Sequence, residues 1–199
     1  MKTTVLVLCA LTLLCLPFDG PIARSLDASA IRPYVNPPMT AIEYAFGFPV
    51  SKWLTGFVLL LVAAALFVVA RWRPAAWLVL FVALSQLTTR LIAGVLKNVF
   101  ERNRPFQPPG WFVDGGSSFP SGHAAHFWGL FFGLAIAFPR TRIPALVLAV
   151  FVSLSRVLVN DHYLSDVVAS AAIAALVTWG WAAVFRRKLA AEHNPPHHA

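Results

Sequence analysis

A chain of 199 residues, 58% of them hydrophobic and 12% charged, cannot clothe a water-soluble globule, which carries roughly 25% charged residues. The formal net charge of +8 would suit a nucleic-acid partner if the cations formed one patch. Instead the basic residues sit at the ends of apolar runs, where membrane topology places them. Cys9 and Cys15 lie within one such run and imply no disulfide framework.

Apolar or nearly apolar runs cover residues 4–18, 53–70, 75–87, 124–138, 143–154 and 167–185. Crossing a bilayer takes about 20 residues, within a range of roughly 17–25. Residues 53–70 and 167–185 reach that length alone. The others reach it with less apolar flanks, such as 85–96 after 75–87. The expectation is an all-α, polytopic membrane bundle of about six transmembrane helices, in one domain. Residues 1–18 form its first transmembrane helix or a signal-like segment, 19–50 an extramembrane connection, 51–188 the core and 189–199 a flexible tail. The first run begins Met1-Lys2 in the manner of a secretory leader. No small-x-small cleavage site follows, so it is read as a retained helix. Pro33, Pro37 and Pro38 argue against one long helix in 19–50. Trp53, Trp77, Trp111, Trp128, Trp179 and Trp181 fall mostly near span ends, as an interfacial aromatic belt would have them.

With the N-terminus in the cytoplasm, Lys2, Arg71, Arg73, Arg140, Arg142, Arg186, Arg187 and Lys188 share the cytoplasmic side, as the positive-inside rule expects. Eight cations lie elsewhere: Arg24, Arg32, Lys52, Arg90, Lys97, Arg102, Arg104 and Arg156. Lys97, Arg102, Arg104 and Arg156 belong to or border the polar clusters described next. Setting those four aside leaves a bias of eight to four. Parity holds in either orientation. Residues 97–123 form one connection, and two further crossings return 156–166 to the same membrane face.

Three polar clusters interrupt the apolar background. In the first, Lys97 and Arg104 are two helical turns apart and would share a face, with Pro105 ending the helix. Taken alone, the pair fits snorkelling toward headgroups better than an anion site. The second, Phe119-Pro120-Ser121-Gly122-His123, directly precedes an apolar run. Ser121 suits an N-cap, the first turn offers free N–H groups to a phosphate, and Gly122 permits close approach. A capped helix with a chance histidine is the plainer reading. In the third, His162 and Asp166 are i and i+4, neighbours on one helical face. A carboxylate on one imidazole nitrogen leaves the other free to attack, and Arg156 adds a planar donor fork for phosphate. A surface pair beside a lone Arg fits poorly, because ionisable groups near membrane spans are expensive and usually functional.

Together these clusters resemble the phosphatidic acid phosphatase type 2 (PAP2) superfamily, the lipid phosphate phosphatases. That family shares its core and site with vanadium haloperoxidases and class A acid phosphatases. Its pattern is Lys-x6-Arg-Pro, then Pro-Ser-Gly-His, then Ser-Arg-x5-His-x3-Asp. Every position is present here, in order and at that spacing, over roughly residues 50–188. The resemblance implies a metal-free, cofactor-free phosphoryl transfer in two steps. His162 would be the nucleophile, forming a phosphohistidine, and Asp166 would orient it. His123 would protonate the leaving lipid oxygen and then activate water. Lys97, Arg104, Arg156, Ser121 and the Gly122 N–H would bind the phosphoryl oxygens, the positioning and cationic charge that phosphoryl transfer needs.

The expected partners are a lipid phosphate substrate and membrane lipids, with no nucleic acid; oligomeric state is not legible. The bacterial relatives act on undecaprenyl pyrophosphate, phosphatidylglycerol phosphate, phosphatidic acid or the phosphates of lipid A. A bacterial inner membrane with the site facing the periplasm is the expected setting. A soluble-type haloperoxidase fits the composition poorly. A non-catalytic binder or transporter of lipid phosphates would need neither His123 nor the His162–Asp166 pair.

Outside the motifs, His126 is read as packed in the bundle interior, or supporting the site. Asp161 is read as a loop charge, or a tuner of His162. Glu101 would pair with Lys97 one turn away. Arg102 would touch headgroups, and Arg90 would line the cavity or snorkel. The Gly- and Pro-rich connection 103–119 would be a lid or an interfacial anchor. His193, His197 and His198 suit a disordered tail better than a metal site.

Overall fold

The computed structural model describes residues 2–193. The tail positions His197 and His198 lie outside the described residues, as does the side chain of His193. Eight α-helices account for most of the described residues: α1 Lys2–Ser25, α2 Ala28–Ala45, α3 Leu54–Val68, α4 Arg73–Phe100, α5 Gly122–Ala137, α6 Arg142–Leu158, α7 Leu164–Val184 and α8 Arg186–His193. Among the described residues there is no strand. Four stretches are long and apolar enough to cross a membrane: Lys2–Ser25, Ala70–Phe100, Pro139–Leu158 and Leu164–Val184. Helices α3 and α5 are shorter and apolar. Six apolar helices therefore make the bundle, as the hydropathy predicts.

Local chemistry sets the helix ends. Pro74 stands in the first turn of α4, where its missing N–H is no loss. Ser121 caps α5, its Oγ accepting from the Ala124 N–H at 3.4 Å. At the start of α7, the Asp166 carboxylate reaches back to accept from the Tyr163 N–H at 2.9 Å. Helices α4 and α5 approach closely because glycines line the seam. A Cβ on Gly129 would lie 2.9 Å from Thr89 Cβ, and one on Gly133 3.2 Å from Val82 Cα. Small residues let membrane helices approach in this way. Phe81, Val82, Phe127, Phe131, Ala149 and Val152 fill the core between α4, α5 and α6.

One expectation needs correction. Residues 19–50 hold a long helix after all: α2 contains Pro33, Pro37 and Pro38. All three prolines are exposed, as are Ser29 and Tyr34. The residues whose carbonyls lose their helical donors are thus all exposed. Asp27 caps the helix, accepting from the Ser29 and Ala30 N–H groups, and buried Met39 fastens it to Ser155 of α6. Two of the indoles also bond between helices. Trp128 donates to Ser153 at 2.8 Å and Trp181 to Thr88 at 3.1 Å, so both serve inter-helix contacts.

The cation clusters gather at one end. Lys188 lies 5.0 Å over the Trp77 ring and Lys2 5.6 Å over that of Trp179. Arg142 Nε donates to Ala135 O at the close of α5. The ends of α4 and α6 and the starts of α5 and α7 lie at the opposite end. Single cysteines at Asp114 and Arg140, in a Cys9→Ala/Cys15→Ala background, should react with an impermeant maleimide from opposite sides of a sealed membrane. Labelling from the same side would break this arrangement.

Candidate active site

A cavity of about 590 Å³ opens where α4 ends and α5 begins, and Lys97, Arg104, Gly122, His123 and His162 line it. All three sequence clusters thus reach one space, as crossing parity requires. The first does so by a different route than expected. Helix α4 stops at Phe100 because Glu101 adopts a left-handed conformation, φ 38°. Lys97 and Arg104 therefore share no helical face. The chain turns back instead, and the two cations converge on Ser117, Lys97 Nζ donating to its carbonyl and Arg104 Nε to its hydroxyl at 3.4 Å. The left-handed turn also carries Glu101 away from Lys97, and the predicted pair does not form.

His162 lies just before α7, so it and Asp166 are neighbours across a helix start, not along a helical face. The Nδ1–Oδ2 distance is 3.6 Å. The Asp166 side chain is otherwise saturated. Oδ1 accepts from Arg102 at 2.6 Å, and Oδ2 from Ser118 Oγ and from the Tyr163 N–H. Burial pushes the proton affinity of His162 below the ordinary histidine range, with Asp166 opposing. The ring is therefore a neutral imidazole at neutral pH. With Nδ1 turned to Asp166, Nε2 is the nitrogen left for chemistry.

Arg102, expected at headgroups, is buried behind this pair. Its Nη1 also meets Ser165 Oγ at 2.8 Å, and its Nη2 meets Asp19 at 2.8 Å. The guanidinium lies 3.8 Å from the Tyr163 ring centroid and 4.4 Å from that of Trp111. Asp19 further accepts from the Ser165 N–H at 3.0 Å and from its hydroxyl. Helix α1 thus contributes a buried acid to the framework of the site. The sequence held one signal for this: an Asp at the edge of an apolar run needs a partner.

The remaining motif residues stand beside the cavity wall. Ser121 is fully buried, and its hydroxyl caps α5. Arg156 is buried between Asp161, at 3.5 Å, and Glu43, at 3.8 Å. Glu43, unread in the sequence, also meets His123 Nε2 at 3.0 Å. The bond from His123 holds its carboxyl below the usual range, and Arg156 acts in the same direction. Asp161 pairs with Arg156 and Arg32 rather than with His162. His126 packs inside the bundle, Nδ1 2.9 Å from Gln86. Arg90 lines the cavity and donates to Gly122 O at 2.8 Å. The connection 103–119 is tied back along α4's end by bonds from Phe112 to Phe100 and from Ser118 to Arg102. Phe106 and Phe112 point outward, as an interfacial anchor would.

The family model described as the PAP2 superfamily matches residues 74–190. The chain belongs to the PAP2 superfamily. It is a membrane phosphatase of that family, hydrolysing phosphoric ester bonds. A lipid A 1-phosphatase of Rhizobium etli is 30% identical over 190 residues, covering 86% of this chain and 77% of that protein. One of Rhizobium johnstonii is 32% identical over 196 residues, covering 89% and 78%. The crystal structure of a PAP2-type phosphatidylglycerolphosphate phosphatase from Bacillus subtilis superposes with a TM-score of 0.63 at 25% identity. It covers 92% of this chain and 96% of that one.

Two outcomes follow from this PAP2 site. Arg102→Met leaves two buried carboxylates without their cation, and should destabilise the fold by about 3–5 kcal/mol, read as a fall in the thermal midpoint in detergent. In ¹⁵N-histidine NMR, the resonance missing from His162→Ala should titrate below the ordinary pH 6.5, becoming charged only as pH falls further. Titration at or above that value would contradict the burial argument.

Proposed function

We propose that this PAP2 enzyme dephosphorylates a membrane lipid through a phosphohistidine on His162, without a metal. The 1-phosphate of a lipid A-type molecule is its first substrate, acted on at the periplasmic face of a bacterial inner membrane. The observation that carries the reading is the sorting of charge around one ring: Asp166 stands at Nδ1 of a neutral His162, while Lys97, Arg104 and His123 line the cavity in front of it. Cations around the equatorial oxygens and an aligned nucleophile are the main requirements of phosphoryl transfer. In the first step Nε2 bonds phosphorus, the bond to the lipid oxygen breaks, and His123 donates a proton to that oxygen. Asp166 stabilises the positive ring so formed. In the second step His123 takes a proton from water, whose oxygen bonds phosphorus as the N–P bond breaks. The Gly122 N–H completes the phosphate cradle, with Ser121 supporting it as the cap of α5 and Arg156 standing behind the wall between Asp161 and Glu43.

The substrate rests on the two relatives named as lipid A 1-phosphatases. The orientation rests on the cation clusters at the end of the bundle remote from the cavity. The test is phosphate release by the purified protein in EDTA, across lipid A 1-phosphate, phosphatidylglycerol phosphate, phosphatidic acid and undecaprenyl pyrophosphate. Turnover should survive EDTA, favour lipid A 1-phosphate, and fall roughly 10⁴-fold or more in His162→Ala. A variant that keeps its turnover would sink the histidine mechanism, and preference for another lipid would reassign the substrate alone.

A further inference from the structure

His123 presents a second dyad, built from a part of the chain that no motif covers. Its Nε2 lies 3.0 Å from Glu43 Oε1. Its Nδ1 makes no hydrogen bond to the protein among the described residues, and the side chain lines the cavity. Phe48 lies against the ring face, centroids 4.4 Å apart and tilted by 32°. The ring is thus held at one edge and on one face, with the other nitrogen open. Glu43 itself is held. Helix α2 is fastened by Met39 on Ser155 and by Arg32 on Asp161 at 3.2 Å, and Arg156 lies 3.8 Å from the same carboxylate oxygen.

An ionised carboxylate accepts hydrogen bonds and donates none. Facing Glu43, Nε2 must therefore carry the ring's proton in the neutral form, and Nδ1 is the nitrogen that exchanges protons. We infer that Glu43 is a positioning residue for His123, setting its tautomer and ring orientation so that Nδ1 protonates the lipid oxygen and later deprotonates water. This rests on the two-step reading above. In the first step His123 acts as the imidazolium, its Nε2–H on Glu43, and the Nδ1 proton passes to the leaving oxygen as the P–O bond breaks and the N–P bond to His162 forms, leaving the ring neutral. In the second, Nδ1 takes a proton from water as the new P–O bond forms and the N–P bond breaks. The Nε2–H stays on Glu43 throughout, as the carboxylate of a Ser-His-Asp triad holds its histidine.

The alternative role for Glu43 is to hold Arg156 for substrate binding, and the experiment separates the two. In ¹⁵N-histidine NMR of the full-length protein, the neutral form of His123 should be the Nε2–H tautomer in wild type and a mixture in Glu43→Leu. In kinetics on lipid A 1-phosphate, or on whichever panel lipid wild type turns over fastest, Glu43→Gln should lower kcat roughly 10–100-fold, with KM within about threefold. The same change in a His123→Ala background should alter kcat by less than about twofold, because the two residues act as a unit. An Nδ1–H tautomer in wild type would overturn the inference. So would a change confined to KM, or an undiminished effect in the His123→Ala background. The NMR result stands apart from the phosphohistidine reading: if His162→Ala retains turnover that reading fails, while the tautomer still tests the hold of Glu43 on His123.

Discussion

Arg102 sits in the bundle paired with two carboxylates, Asp19 from α1 and Asp166 from α7, and lies over the rings of Tyr163 and Trp111. Each of these charges loses several kcal/mol of hydration on burial. The geometry repays that loss only while all three stay together with the hydroxyls of Ser165 and Ser118. The bracket therefore ties the first helix, the turn after α4 and the start of α7 into one unit. His162 is aimed from that unit. Among the described residues its ring has no polar partner other than Asp166, 3.6 Å away, and Asp166 is placed by Arg102.

The bracket also explains the electrostatics in front of it. Two acids and one guanidinium stand behind the His162 ring. The cations Lys97 and Arg104 lie on the cavity side. Burial lowers the proton affinity of the ring between them. Acid behind, base between and cations ahead is a sequence of charges that no single motif contains. It arises because three helix ends and a turn meet at one membrane face.

His123 repeats the scheme on a smaller scale. A carboxylate from α2 stands at one nitrogen of the ring, and the side chain lines the cavity. The two histidines are held by acids from opposite sides of the chain, one inside the last motif and one in a segment whose sequence reads only as polar and proline-rich. That segment forms a helix with all three of its prolines on the exposed side.

Composition alone was enough to place this protein in a membrane, since 12% charged residues cannot coat a soluble surface. Hydropathy periods gave six apolar helices, and crossing parity brought three polar clusters to one face. Their motif spacing named the family and the residues around the cavity. These features are local or one-dimensional, so they survive in the order of residues. Helical spacing misled where the backbone left the helix. Glu101 turned left-handed and separated Arg104 from the face of Lys97, and His162 fell just before α7. Tertiary structure alone decided which distant charges meet: Asp19 with Arg102, Arg102 with Asp166, Glu43 with His123 and Arg156. The physical reason is that a buried charge needs an opposite charge within a few ångströms. That requirement acts through space, and nothing in the spacing along the chain records which partner satisfies it.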